Sequence, residues 1–409
     1  MKMKSSGAGQ SLLPPEAERR VLGAAAEVFP AAWELARALF ERPELAYQEY
    51  ESSSKLRGFL EEEGFAVRRS VAGLDTAFVA AAGRERGPAV AFLAEMDALP
   101  ELGHACGHHL IAAASAGAAV ALKRALPRLP GRIEVIGCPA EESGGGKVAL
   151  ARAGIFDGLA AALIVHPDIR TEVYKRSLGM VEIELVFTGR ASHAAAWPEK
   201  GVNALDAVIQ TFNAVSMLRQ QLPEKNRVHG IITDGGRAPN IIPERAAALF
   251  LARGLTVRET LELADKVAAC ARGAAKATGT QVRAQVRKGI MYPPYIPNRA
   301  LGAAFTAALA RLQVEINQGP EDEAMGSTDV GAVSMRAPVL HPLLCLPGAK
   351  VSVHTPSFAQ DAGGEPGRQM LGPAIAATAL VGAAVLLSPD LREKIKSEFE
   401  EVTGESGEW

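Results

Sequence analysis

Six consecutive positions, His104 to His109 in "GHACGHHL", hold three histidines and one cysteine of a chain that has only eight and four of them. Imidazole nitrogen and thiolate sulfur are ligands for divalent metals, and a cysteine beside a histidine is equally the arrangement of a thiol nucleophile. Cys106 and His108 flank a glycine, so a tight turn can aim both side chains inward. The helix beginning near residue 110 presents its positive end to them and is expected to lower the Cys106 pKa, which suits a ligand and a nucleophile alike. The acidic pair Glu141 and Glu142 in "AEESGGG" separates the two chemistries. A metal hydrolase needs one carboxylate to hold the ion and a second to take a proton from the attacking water; a thiol hydrolase has no such need. The following glycines do not form a phosphate loop, because Lys147 is followed by Val148 and Glu141 stands where the first loop glycine belongs.

These residues need elements to bring them together. Asp97 follows the apolar run "AVAFLAEM", Glu141 and Glu142 follow "RIEVIGC", His166 follows "AALIV", and His354 follows "VLHPLLCLPGAKVSV". In an open parallel sheet the carboxyl ends of the strands share one edge, and ligands bind there, so four separated segments are expected to converge. Helical periodicity covers residues 16 to 40 and 46 to 63; "TAFVAAA" and "AVAFLAEM" read as strands joined by a turn; "LIAAASAGAAVALKRAL" reads as a helix buried nearly all round. The fold class expected is α/β, a mostly parallel sheet with helices on both faces. From residue 179 the order becomes β-α-β-β-α-β, that of an inserted ferredoxin-like α+β domain. Residues 1–178 and 293–409 are therefore assigned to one domain and 179–292 to the other, a division in keeping with the 409-residue length.

Composition narrows the partners. A net charge of −2, from 44 basic and 46 acidic residues, gives no electrostatic basis for binding nucleic acid or an acidic membrane, so a small-molecule substrate is expected. Cys106, Cys138, Cys270 and Cys345 are scattered, which fits a reducing cytoplasm better than a disulfide scaffold. The two lysines of "MKMKSSGAGQSLLPPE" have no apolar segment behind them, so no signal peptide is read. "LGPAIAATALVGAAVLL", interrupted by Pro373, reads as a buried helix rather than a membrane span. Taken singly, His104, His109, His229 and His341 read as structural, and Cys138, Cys270 and Cys345 as core.

Seven blocks in register, "AEMDALPELGHACGHHLIAAA", "GCPAEESGGGKVAL", "IVHP", "FTGRASHAAAWPEKGVNALDAV", "HGIITDGGRAPNIIPE", "GSTDVGAVS" and "VSVHTPSF", resemble the M20 metallopeptidases. The resemblance is to the amidohydrolase branch, subfamily D, which includes aminobenzoyl-glutamate hydrolase subunits and dipeptidases of the M20 domain-containing protein 2 type. It implies two divalent ions per subunit, Zn²⁺ or Mn²⁺, with Cys106 bridging them and His108, Glu142, His166 and His354 completing the ligands. Glu141 would be the general base, Asp97 an orienting carboxylate, and the inserted domain a lid and dimerisation surface. His193 would reach the partner subunit's site to stabilise an oxyanion. Asn240 and Arg253 would hold the substrate's carboxylate, with Ser327 and Asp329 as supporting candidates. Glu95 stands where other branches carry a histidine ligand, and His109 where the branch carries Asp or Asn. The expected activity is metal-dependent hydrolysis of an amide bond in an N-acyl amino acid or short dipeptide with a free carboxylate. The alternatives are a Cys106-nucleophile amidase and an inactive ligand-binding relative.

Overall fold

The computed structural model describes residues 12–320, 323 and 326–406, so most of the N-terminal stretch read for a signal peptide lies outside the described residues. The chain falls into two compact units. The described residues of Met1–Arg176, Ile296–Met325 and Ala332–Glu405 form the first, and Ser177–Tyr295 with Gly326–Gly331 the second.

The first unit opens with α1 (Pro15–Phe40), α2 (Tyr50–Glu62), β1 (Ala66–Arg69), β2 (Phe78–Gly83), β3 (Ala89–Glu95), α3 (His108–Ala125), β4 (Arg132–Cys138), α4 (Gly146–Arg152), β5 (Ala161–Leu163) and β6 (His166–Asp168). The second contains β7 (Gly179–Thr188), α5 (Ala204–Leu218), β8 (Arg227–Asp234), β9 (Arg245–Gly254), α6 (Val257–Thr278) and β10 (Gln281–Val286). The chain ends with α7 (Arg299–Arg311), a short α8 (Val330–Ser334), β11 (Val339–Leu340), β12 (Leu343–Cys345), α9 (Pro356–Gly363), α10 (Glu365–Leu387) and α11 (Pro389–Ser406).

The central sheet runs β1-β2-β4-β3-β5-β11; β3 pairs in parallel with β4 and β5, and β5 in parallel with β11. Every residue of β3 is buried, as a strand covered on both faces requires. The turn between β2 and β3 joins strands that do not pair: β4 lies between them, antiparallel to β2 and parallel to β3. The apolar stretch before His354 splits into β11 and β12, and β12 leaves the main sheet to pair with β6. The second helix also starts later than its periodicity suggests, because the Glu49 carboxylate accepts the Tyr47 N–H and folds residues 47–49 into a turn.

Helices α1, α3 and α10 pack together on this sheet. Close approach depends on small residues: a Cβ on Gly117 of α3 would lie 2.9 Å from Ile375 and 3.3 Å from Ala32. Helix α10 is the one described helix long and apolar enough to cross a membrane, yet 83% of its apolar window is buried inside the fold.

The second unit has the sheet order β10-β7-β9-β8 with all neighbours antiparallel, which is the ferredoxin-like arrangement. Strand β7 alternates buried and half-buried residues, and α5 and α6 cover the inner face. Thr256 caps α6 by accepting the Glu259 N–H.

Candidate metal centre

Strand β3 ends at Glu95, and Asp97, fully buried two residues on, organises two of the candidate ligands. His108 Nδ1 donates to the Asp97 backbone carbonyl at 2.9 Å and lies 3.1 Å from Asp97 Oδ1, while Asp97 Oδ2 accepts the Glu142 N–H at 2.9 Å. This fixes the tautomer of His108 and turns the Nε2 lone pair away from Asp97, the usual support for a metal-ligating imidazole. His166 is oriented in the same way, its Nδ1 donating to the Pro167 carbonyl at 2.7 Å so that Nε2 lies 3.3 Å from Cys106 Sγ.

Cys106 and His108 are separated by Gly107, which caps α3 at φ +82°; a Cβ there would stand 2.4 Å from the Pro167 ring. His354 sits in a loop at φ +65°, its N–H bonded to the Ala105 carbonyl at 2.8 Å, and its Nε2 lies 3.4 Å from Glu142 Oε1. Three sets of donor atoms from first-unit residues alone result, the atoms of each set lying within 4.8 Å of one another: Cys106, His108 and His166; Cys106, Glu142 and His354; and His108, Glu141 and Glu142. Cys106 is common to the first two. All five expected ligands and Glu141 are thus brought together by strand ends and loops of the first unit.

The donors fit divalent metal. Thiol, imidazole and carboxylate are the donor set of a borderline cation. Two of the atoms, His108 Nε2 and Glu142 Oε1, are buried and lack a hydrogen-bond partner. Burial pushes the Cys106 thiol up rather than down, against the expectation from the helix terminus: the thiol is enclosed, and the loss of solvation outweighs the nearby His108. A metal ion, not the helix dipole, is what would make it a thiolate. His354, half exposed, is raised by its contact with Glu142.

The loop carrying Glu141 is braced from below. Glu49, buried, accepts the Ala140 N–H at 2.9 Å and the Thr76 hydroxyl at 2.9 Å, and burial raises its carboxyl. Gly146 lets that loop turn into α4, since a Cβ would stand 1.9 Å from the Pro139 carbonyl oxygen. His104 and His109 donate to the backbone carbonyls of Leu39 and Ala362 and pack with Phe40, so they line the hydrophobic wall behind the centre. Burial holds His104 near pKa 4.

Three further groups border the centre that the sequence did not mark as site residues. Glu95 Oε1 is 2.6 Å from Lys147 Nζ, both side chains being buried, and Glu95 Oε2 is 3.6 Å from His108 Nε2. Burial alone would raise the Glu95 carboxyl, but the Lys147 charge and then His108 bring it down to about 2. His341 lies edge-on to His166 at 5.6 Å, and burial lowers it to about 3. One signal was available for Lys147: it occupies the buried face of α4 with Val148, Leu150 and Ala151.

The remaining candidates lie in the second unit. His193 is exposed and bridges to Ile241, its Nδ1 accepting the Ala195 and Ala196 N–H groups, and the Asn240 carbonyl accepts the Ala194 N–H, so His193 and Asn240 share one edge. Arg253, near the end of β9, donates to Ser327 Oγ at 2.8 Å and to His229 at 3.3 Å; burial lowers its pKa. Asp329 is fully buried. Arg253 and Ser327 are therefore joined directly, whereas His193 and Asn240 belong to a different segment.

A family model described as peptidase family M20/M25/M40 matches residues 91–375. The Xaa-Arg dipeptidase of Mus musculus is 38% identical over 97% of this chain and 94% of its own. A p-aminobenzoyl-glutamate hydrolase subunit of Escherichia coli is 35% identical over 68% of this chain and 61% of its own length. Among solved structures, a Bacillus subtilis protein described as a dinuclear metal-binding peptidase of family M20 superposes with a TM-score of 0.69 at 24% identity, covering 88% of this chain and 99% of that one.

Proposed function

Since this chain belongs to peptidase family M20/M25/M40 and is a hydrolase of C–N bonds, we propose that it cleaves the amide bond of a dipeptide or N-acyl amino acid carrying a free carboxylate, with Glu141 moving the proton. One observation carries the reading: Cys106, Glu142, His166, His354 and the pre-oriented His108 bring their donor atoms into interlocking sets, with Glu141 in one of them. Two divalent cations, Zn²⁺ or Mn²⁺, held by these five residues would polarise the scissile carbonyl and acidify water. Glu141 accepts the proton of the attacking water and delivers it to the leaving amine. Asp97 keeps His108 in its binding tautomer, and Glu49 holds the Ala140–Glu141 loop in place.

In the second unit, Arg253, bonded to Ser327, and separately Asn240 suit recognition of a substrate carboxylate, with Asp329 as a supporting candidate. His193, supplied by a second copy of the chain, donates to the developing oxyanion. The dimer this needs is supported by the outer strand β8, which exposes Ile231 and Ile232, and by Met217 on α5, 75% exposed. A cytoplasmic location is in keeping with four cysteines outside any disulfide.

The decisive test is Glu141→Gln. The variant is expected to keep its fold and metal while kcat falls on the order of 100-fold or more. Near-normal turnover by metal-replete Glu141→Gln overturns the assignment. The thiol-nucleophile alternative makes the opposite forecast for chelation: a Cys106 amidase survives metal removal and dies on alkylation.

A further inference from the structure

Beside the five expected ligands lies a carboxylate to which they give no role. Glu95 is 1% exposed, and its two oxygens face different neighbours: Oε1 meets Lys147 at 2.6 Å, and Oε2 meets the unpartnered Nε2 of His108 at 3.6 Å. Glu142 Oε1 faces the same nitrogen from 3.8 Å. Neither approach is a hydrogen bond, and Nε2 is the lone-pair nitrogen because Nδ1 donates to Asp97. A carboxylate oxygen of Glu95 thus lies beside the His108 Nε2 lone pair at a spacing that two donors to one cation take up, as an oxygen of Glu142 does. Two donors about 2.1 Å from one tetrahedral ion stand about 3.4 Å apart, close to both spacings.

We propose that Glu95 is a sixth protein ligand, binding through Oε2 the cation that His108 Nε2 binds, while Lys147 holds Oε1 and keeps the carboxylate from coordinating through both oxygens. The assignment rests on the metal-centre reading and adds a residue to it. Lys147 then has a defined task. It offsets the additional negative charge in a pocket that already holds Cys106, Glu141, Glu142 and Asp97, and it fixes the rotamer that presents a single oxygen. A buried ion pair with no role at the centre would direct both carboxylate oxygens at the lysine or at other donors; here one is left aimed at His108.

The test uses the full chain, stripped of metal and titrated with Co²⁺ against a chromophoric chelator. The visible d–d bands report coordination, and the thiolate-to-cobalt absorption reports the Cys106 ions. The wild type is expected to take two Co²⁺ per chain. Glu95→Gln is expected to weaken one of the two by tenfold or more and to alter the d–d bands, with the thiolate absorption retained. Because Glu95→Gln leaves Lys147 buried without its counter-charge, the double variant Glu95→Gln/Lys147→Met serves as the folding control, and it too is expected to bind one ion weakly. A double variant with wild-type affinity for both ions and unchanged d–d bands overturns the Glu95 assignment alone. A wild-type chain that takes up no Co²⁺ overturns both it and the metal centre.

Discussion

Both oxygens of Asp97 are engaged, one toward His108 and one by the Glu142 N–H, so this carboxylate fixes two candidate ligands at once. Asp97→Asn is expected to lower metal affinity about tenfold, because the backbone carbonyl still receives Nδ1 while the orienting charge is lost. Chelator competition checks it, and an unchanged affinity removes Asp97 from the centre. Cys106→Ala is expected to lose metal and activity together, measured by elemental analysis. At this scale the sequence was informative where a polar residue followed an apolar strand or flanked a glycine turn, as at Asp97, Glu142, Cys106 and His108. Of Glu95 it said only that other branches of the family carry a histidine ligand at that position, and it did not show that Glu95 meets Lys147. Residue type does not say that a glutamate within a buried strand faces a lysine 52 positions later; only the packing of α4 brings them within 2.6 Å. The sign of the Cys106 shift was misjudged for a related reason, since a helix end is visible in sequence and the enclosure of the thiol is not.

Among the elements, the turn before α3 bears most on the centre. Gly107 combines φ +82° with a Cβ position 2.4 Å from Pro167, so Gly107→Ala carries left-handed strain of about 1–2 kcal/mol and a collision with the residue after His166. A lowered Tm and weaker metal binding are both expected, read by calorimetry and chelator competition. Wild-type values in both would mean the turn tolerates a side chain. Strand and helix identities were legible from periodicity, including β-α-β-β-α-β in the second unit. Pairing was not: "TAFVAAA" and "AVAFLAEM" are neighbours in sequence, but β4 is inserted between them. Strand order depends on which crossover buries both faces of β3, and no local signal encodes that.

For the whole molecule, the outer strand β8 leads to a prediction about assembly. If the proposed dimer forms through this strand, Ile231→Lys, at a side chain 63% exposed, is expected to leave the fold intact and give a monomer in light scattering where the wild type gives a dimer, with a loss of turnover; a wild type that is already monomeric overturns the proposed dimer. Mixed His193→Ala and Glu141→Gln subunits are expected to regain part of the activity that each lacks; no recovery argues against a shared site. The first unit is discontinuous in sequence, and its packing has a cost in time. Helix α3 is complete at residue 125, yet α10, which seals its apolar surface, ends at residue 387. At translation rates of 5–20 residues per second, that surface waits roughly 13–50 s on the ribosome while the rest of the chain up to the end of α10, the second unit included, is synthesised. Nascent chains arrested before residue 365 should therefore recruit hydrophobic-binding chaperones that the finished protein does not.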